Sequence, residues 1–155
     1  MAFKFSALKV EKFSHLFGLD SDVLARQGVR RVTADSTPGF PCRVSLQDAD
    51  IGESVLLMNY EHQSASTPFR SSHAIFVREG ARQATLHRNE IPAMFRHRLL
   101  SVRAFDANGM MIDADVIGGE HLESLIEKMF TDASVDLLHV HNAKPGCYAA
   151  LVRRD

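Results

Sequence analysis

The spacing of apolar and polar positions changes period several times along the chain. Phe3-Lys4-Phe5-Ser6-Ala7-Leu8 alternates and predicts a first strand. Val10, Phe13, Leu16 and Phe17 fall at helical spacing, and Gly18 stops that run. Asp20-Ser21 can cap a second short helix that ends at Gln27-Gly28. Strands are predicted over 29–34, 53–62 and 73–78, the second being the strongest (Val55, Leu56, Leu57, Met58, Tyr60). A short extended piece is expected over 81–86, and a short helix from Pro92 to His97.

Residues 99–106 and 110–117 flank Asn108-Gly109, a dipeptide suited to a tight hairpin because both central residues of that turn need φ > 0. A two-residue loop pairs Phe105 with Ile112. It puts Ser101, Arg103, Phe105, Met110, Ile112, Ala114 and Val116 on an apolar face, and Asp106, Asp113 and Asp115 on a wet one. Leu122, Leu125, Ile126, Met129 and Phe130 then form one stripe at i, i+3, i+4, i+7 and i+8, the clearest helix in the chain. Gly118-Gly119 before it reads as a flexible turn, and Glu120 and Glu123 suit the helix dipole without a ligand. About seven strands, mostly in hairpins, with one strong amphipathic helix and shorter ones, give an α+β fold. The sheet is mainly antiparallel, and the late helix allows one crossover and so a mixed sheet.

Length narrows this to one domain over 1–155. The apolar fraction of 45% and charged fraction of 24% are those of a globular domain, and a net charge of −1 supplies no field for nucleic acid. No apolar run approaches the ~20 residues of a membrane helix, and the N-terminus does not resemble a signal peptide. The expected compartment is the cytoplasm, where Cys42 and Cys147 would be reduced thiols. Arg88, Arg96 and Arg98 with His87 and His97 form a basic patch without interleaved aromatics, read as a solvated face.

The one compositional excess is histidine, eight in all. Two lie in the last predicted hairpin, 135–153, around the turn Asn142-Ala143-Lys144-Pro145-Gly146. A loop of those five residues sets His141 opposite Cys147 and His139 opposite Ala149. One face then gathers Leu137, His139, His141, Cys147, Ala149 and Leu151, while the other is nearly all apolar. His139, His141 and Cys147 offer the N and S donors of a borderline transition metal such as zinc. The same trio could pair an imidazole with a thiol nucleophile, or simply be a packed, hydrogen-bonded face. Thr37-Pro38-Gly39-Phe40-Pro41 is a stiff turn presenting Cys42 beside Arg43, an anion-binding or reactive-thiol pair, or a buried Cys with a surface Arg. Pairing of the strands at 53–62 and 73–78 would bring Glu61 or His62 near His73, a second cluster of candidate ligands.

The segments HVHNAKPGC, TPGFPCR, ESVLLMNYEH, RSSHAIFVRE and MMIDADVI resemble the bacterial domain of unknown function 1203 family over nearly the whole chain. The resemblance implies a stand-alone bacterial domain and carries no catalytic residue across. Val44-Ser45 and His73-Ala74 depart from the family pattern. Three functions follow: a domain binding a small molecule or metal at the last hairpin, an enzyme using Cys147 or Cys42 with a neighbouring His, or an interaction module without chemistry. Neither nucleic acid nor membrane is an expected partner.

Overall fold

The computed structural model describes residues 1–155. Its strands are β1 (Phe3–Ser6), β2 (Arg30–Thr33), β3 (Ser54–Gln63), β4 (Ser71–Arg78), β5 (Leu99–Phe105), β6 (Met111–Gly118), β7 (Leu137–Asn142) and β8 (Tyr148–Arg154); its helices are α1 (Ser21–Arg26) and α2 (Leu122–Phe130). They build an α+β fold with two sheets, one ordered β1-β8-β7-β5-β6 and one β2-β3-β4. Every strand pair is antiparallel. The crossover through α2 does occur, but β7 passes beyond β6 to the far side of β5, so no parallel pair forms. No helix is long and apolar enough to cross a membrane.

All five stripe residues of α2 are buried. They pack with Leu100, Val102 and Ala104 of β5, Leu138 and Val140 of β7, and Ala150 and Val152 of β8. Each such side chain contributes about 1.5–3 kcal/mol of burial, which a nine-residue helix needs because so short a segment is not stable alone. A second core joins Leu56, Met58, Ile75 and Val77 of the small sheet to Tyr148 of β8 and to Leu8, Phe13, Leu16 and Leu24 of the N-terminal segment. The large sheet is thus covered by α2 on one face and, around β7 and β8, by the small sheet on the other.

Several expectations are corrected. The predicted helix over 10–17 is two separate 3-10 turns, Val10–Lys12 and Ser14–Leu16, and that over 92–97 is one, Ala93–Phe95. Neither run has a side-chain cap, and tertiary burial of Phe13, Leu16, Met94 and Phe95 decides their shape. Residues 81–86 form no strand, although the Ala84 N–H donates to the Val44 carbonyl. In the β5–β6 hairpin the predicted register holds from Ala104↔Asp113 outward, but Phe105 pairs with Met111. Its core face is the other one. Val102 and Ala104 are fully buried under α2, whereas Ile112 and Val116 are exposed. The neighbour β7 decides which face of β5 is inside, and β6 is the edge strand. Gly119 is a close-packing position rather than a flexible turn: a Cβ there would stand 1.6 Å from the Phe95 carbonyl oxygen.

Candidate functional site: three histidines between the sheets

The hairpin of β7 and β8 carries one more residue on β8 than the simple register allows. His139 pairs with Leu151 and Val140 with Ala150, but His141 pairs with Tyr148. This bulge leaves Ala149 as the extra residue and turns Tyr148, not Cys147, onto the histidine side. Alternation along β3 places Leu56, Met58, Tyr60 and His62 on the face toward the large sheet. A register shift between Glu61 and Gln63 at the end of that strand sets His62 over β7.

His62, His139 and His141 therefore meet between the sheets. One ring nitrogen from each lies within 4.8 Å of those of the other two. His62 is edge-on to both partners, with centroids 5.8 Å from His139 and 4.9 Å from His141. Tyr148 stacks on His62, and Phe105 leans on His139 at 4.9 Å. His139 is 3% exposed and His141 fully buried, while His62 is half-buried at the rim.

The hydrogen bonding of the trio is incomplete. His141 Nδ1 lies 2.9 Å from the Gly146 carbonyl oxygen, so Nδ1 carries the proton and Nε2 keeps a bare lone pair. That Nε2, together with Nδ1 of His62 and Nδ1 of His139, is buried without a hydrogen-bond partner. A buried polar atom left unpaired costs about 1–3 kcal/mol. Burial above all, with nearby imidazoles and the Arg103 guanidinium, and at His141 against the opposing hydrogen bond to Gly146, holds His62 down at about 4 and His139 and His141 at about 3. All three rings are neutral at pH 7, the form in which imidazole binds a metal. Arg103, opposite His139 on β5, is itself pushed down by burial.

The other sequence candidates lie elsewhere. The Cys147 thiol accepts from the Asn142 side-chain amide at 3.4 Å and lies near the Arg43 guanidinium. Arg43 is 1% exposed, not a surface residue. Cys42 is fully buried, with its sulfur accepting from the N–H groups of Ser45 and Arg78. Both cysteines are free thiols, and both lie close to Arg43. His73 pairs with Tyr60 across the small sheet, and exposed Glu61 bonds Arg70. Sequence reasoning missed Tyr148, which the assumed register put on the opposite face. It also passed over Arg103, whose signal was a charge inside an apolar strand. The basic patch is largely answered by acids: Arg98 and His97 face Asp48, and Arg88 faces Asp155.

A family model described as a protein of unknown function (DUF1203) matches residues 39–154. That span contains all three histidines, Arg43 and both cysteines. No curated protein and no solved structure matches the chain.

Proposed function

The chain belongs to the DUF1203 family, and from the geometry of its buried histidines we propose that it binds a borderline divalent transition metal, zinc above all, through His62, His139 and His141. The observation that carries this reading is the set of three neutral imidazoles, two buried and one half-buried, each with an unpaired ring nitrogen, gathered between two sheets. Unpaired ring nitrogens on three adjacent imidazoles are unfavourable inside a fold, and a cation held among the rings would give such nitrogens a partner. Imidazole suits zinc, copper, nickel and iron; calcium and magnesium require oxygen donors, of which the cluster has none.

The surroundings support ligation. The His141 Nδ1 contact with the Gly146 carbonyl is the backing hydrogen bond that orients metal-bound imidazoles. Tetrahedral zinc at about 2.0–2.1 Å from nitrogen needs ligand nitrogens about 3.3 Å apart, so a bound ion would draw together rings whose nitrogens now lie within 4.8 Å. Three protein ligands leave one position for water or an exogenous anion, and Arg103 favours the anion there. His62, half-buried at the rim, gives the way in.

The test is the metal content of untagged protein purified without chelators, read by elemental mass spectrometry. Close to one equivalent of zinc or a neighbouring metal is expected, lost in His62→Ala and in the His139→Ala/His141→Ala pair and retained in Cys147→Ser. Metal-free protein that takes up no added zinc, copper, nickel or iron would sink the reading.

A further inference from the structure

A cleft of about 540 Å³ opens where the turn before Cys42 meets the loop between β7 and β8. That volume suits a small organic molecule. It shares no lining residue with the histidine cluster. Its charged and titratable lining is Arg43, Arg98, Lys144, His73 and His97, together with the Cys147 thiol; neither Asp nor Glu lines it.

Arg98 is already neutralised by Asp48. Arg43 and Lys144 are in no ion pair with a carboxylate. Lys144 is exposed, but Arg43 is among the most buried side chains of the molecule. The Arg43 Nε donates to the Tyr148 carbonyl at 2.7 Å and Nη1 donates to the Pro41 carbonyl, which fixes the plane of the fork. Carbonyl dipoles do not cancel a full charge. Guanidinium stays protonated in proteins, and a buried charge without a counter-charge is strongly unfavourable. Of its surroundings the cleft, with the Cys147 thiol in its wall and no carboxylate lining it, is where a counter-charge can stand. A second polar group is also unsatisfied: Asn142, 6% exposed and on the cleft wall, has its Oδ1 buried without a partner while its amide N–H reaches the Cys147 sulfur.

We propose that this cleft binds a small oxyanion, a carboxylate or a phosphate, between Arg43 and Lys144, and that it holds the ligand over the Cys147 thiol. The planar fork of Arg43 matches an oxyanion's paired oxygens, and Lys144 adds a mobile charge at the mouth. An anionic ligand with a hydroxyl or amine beside its acid group would also give Asn142 Oδ1 a donor. The site is independent of the metal reading and stands or falls without it.

The test uses two alkylating reagents of nearly equal size, anionic iodoacetate and neutral iodoacetamide, on the folded full-length chain. In each the sulfur attacks the carbon bearing iodine, a C–S bond forms as C–I breaks, iodide leaves and the thiol proton goes to solvent. Peptide mass spectrometry follows Cys147, with fully buried Cys42 as an internal control. An ordinary thiolate repels iodoacetate, so glutathione sets the reference ratio of the two rates. At Cys147 the iodoacetate-to-iodoacetamide ratio is expected to exceed that reference by about tenfold, and to fall several-fold in Lys144→Ala. Protection by inorganic phosphate but not acetate identifies a phosphate site, and the reverse a carboxylate site; protection by both supports the shared oxyanion chemistry. A ratio no higher than glutathione's, a ratio unchanged in Lys144→Ala, protection by neither anion, or no labelling of Cys147 by either reagent overturns the proposal.

Discussion

Tyr148 and His62 stack face to face, with ring centroids 5.3 Å apart and planes 3° from parallel, although they come from different sheets. Tyr148 is 3% exposed and also stands edge-on to His139 and His141 at 5.2 and 5.8 Å. One ring thus braces all three imidazoles and belongs at the same time to the core beneath the small sheet.

Removing that ring leaves a cavity where the two sheets meet. Tyr148→Ala should cost about 3–5 kcal/mol, the range for deleting a large buried aromatic. Tyr148→Phe should stay within about 1 kcal/mol, because the structure shows no hydrogen bond from the phenol. Urea unfolding of metal-free protein at pH 7 measures both.

The metal-free protein should lose stability as pH falls from 6.5. An unfolded histidine takes its proton near 6.5, whereas His62 in the fold waits until about 4, and His139 and His141 until about 3. Between these values the unfolded chain binds more protons, so acid favours unfolding. Each of the three should contribute about 1 kcal/mol of loss between pH 6 and 5. Depressed carboxylates such as Glu79, held at about 2 by Arg31, lose their contribution only at lower pH and stay out of this window. Urea midpoints in chelator at pH 7, 6 and 5 test the slope. The His139→Gln/His141→Gln variant should show a much flatter one, and an equal slope would contradict buried neutral rings.

Much of this architecture is written in local pattern. The stripe from Leu122 to Phe130 and the His-Val-His of β7 act within a few residues, and the structure keeps both; the Asn108-Gly109 signal places the hairpin but not its loop, which takes in Ala107 as well and has only Gly109 at positive φ. What local pattern does not carry is who meets whom. His62 stands out as a candidate from sequence, but strand pairing alone gives it His73 as company. Its actual partners are 77 and 79 positions away and reach it through packing of two sheets. The bulge at Val140/His141 is equally silent, because a one-residue insertion swaps Cys147 for Tyr148 on the histidine side without leaving a mark in composition. The burial of Arg43 was hidden for the same reason: it depends on the Tyr148 carbonyl, 105 residues away.

Two glycines should separate close packing from backbone conformation. Gly119→Ala places a methyl 1.6 Å from the Phe95 carbonyl oxygen and 2.6 Å from its carbon, both backbone atoms that cannot swing aside. The start of α2 must then shift, and a loss above about 3 kcal/mol is expected. Gly52→Ala meets no atom within 4 Å but has φ +91, so it should cost only about 1–2 kcal/mol of backbone strain. Thermal or urea unfolding of the two variants side by side checks the order, and the reverse order would refute the packing argument.

Arg103 offers a test of the electrostatics around the histidines. Its guanidinium lowers the proton affinity of all three rings, and the same field opposes any other cation placed among them. Arg103 is only half-buried, and its side chain makes a single long contact, 3.4 Å to the Ser101 hydroxyl, so Arg103→Gln should leave the fold intact. Removing the charge should tighten zinc binding by roughly tenfold, about 1.4 kcal/mol, measured by competition with a chromophoric chelator at fixed ionic strength. High salt should narrow the gap between the two proteins only slightly, because a charge within the fold is poorly screened. Equal affinities in variant and parent would mean that the ion does not sit beside Arg103, and would place any bound zinc away from His62, His139 and His141.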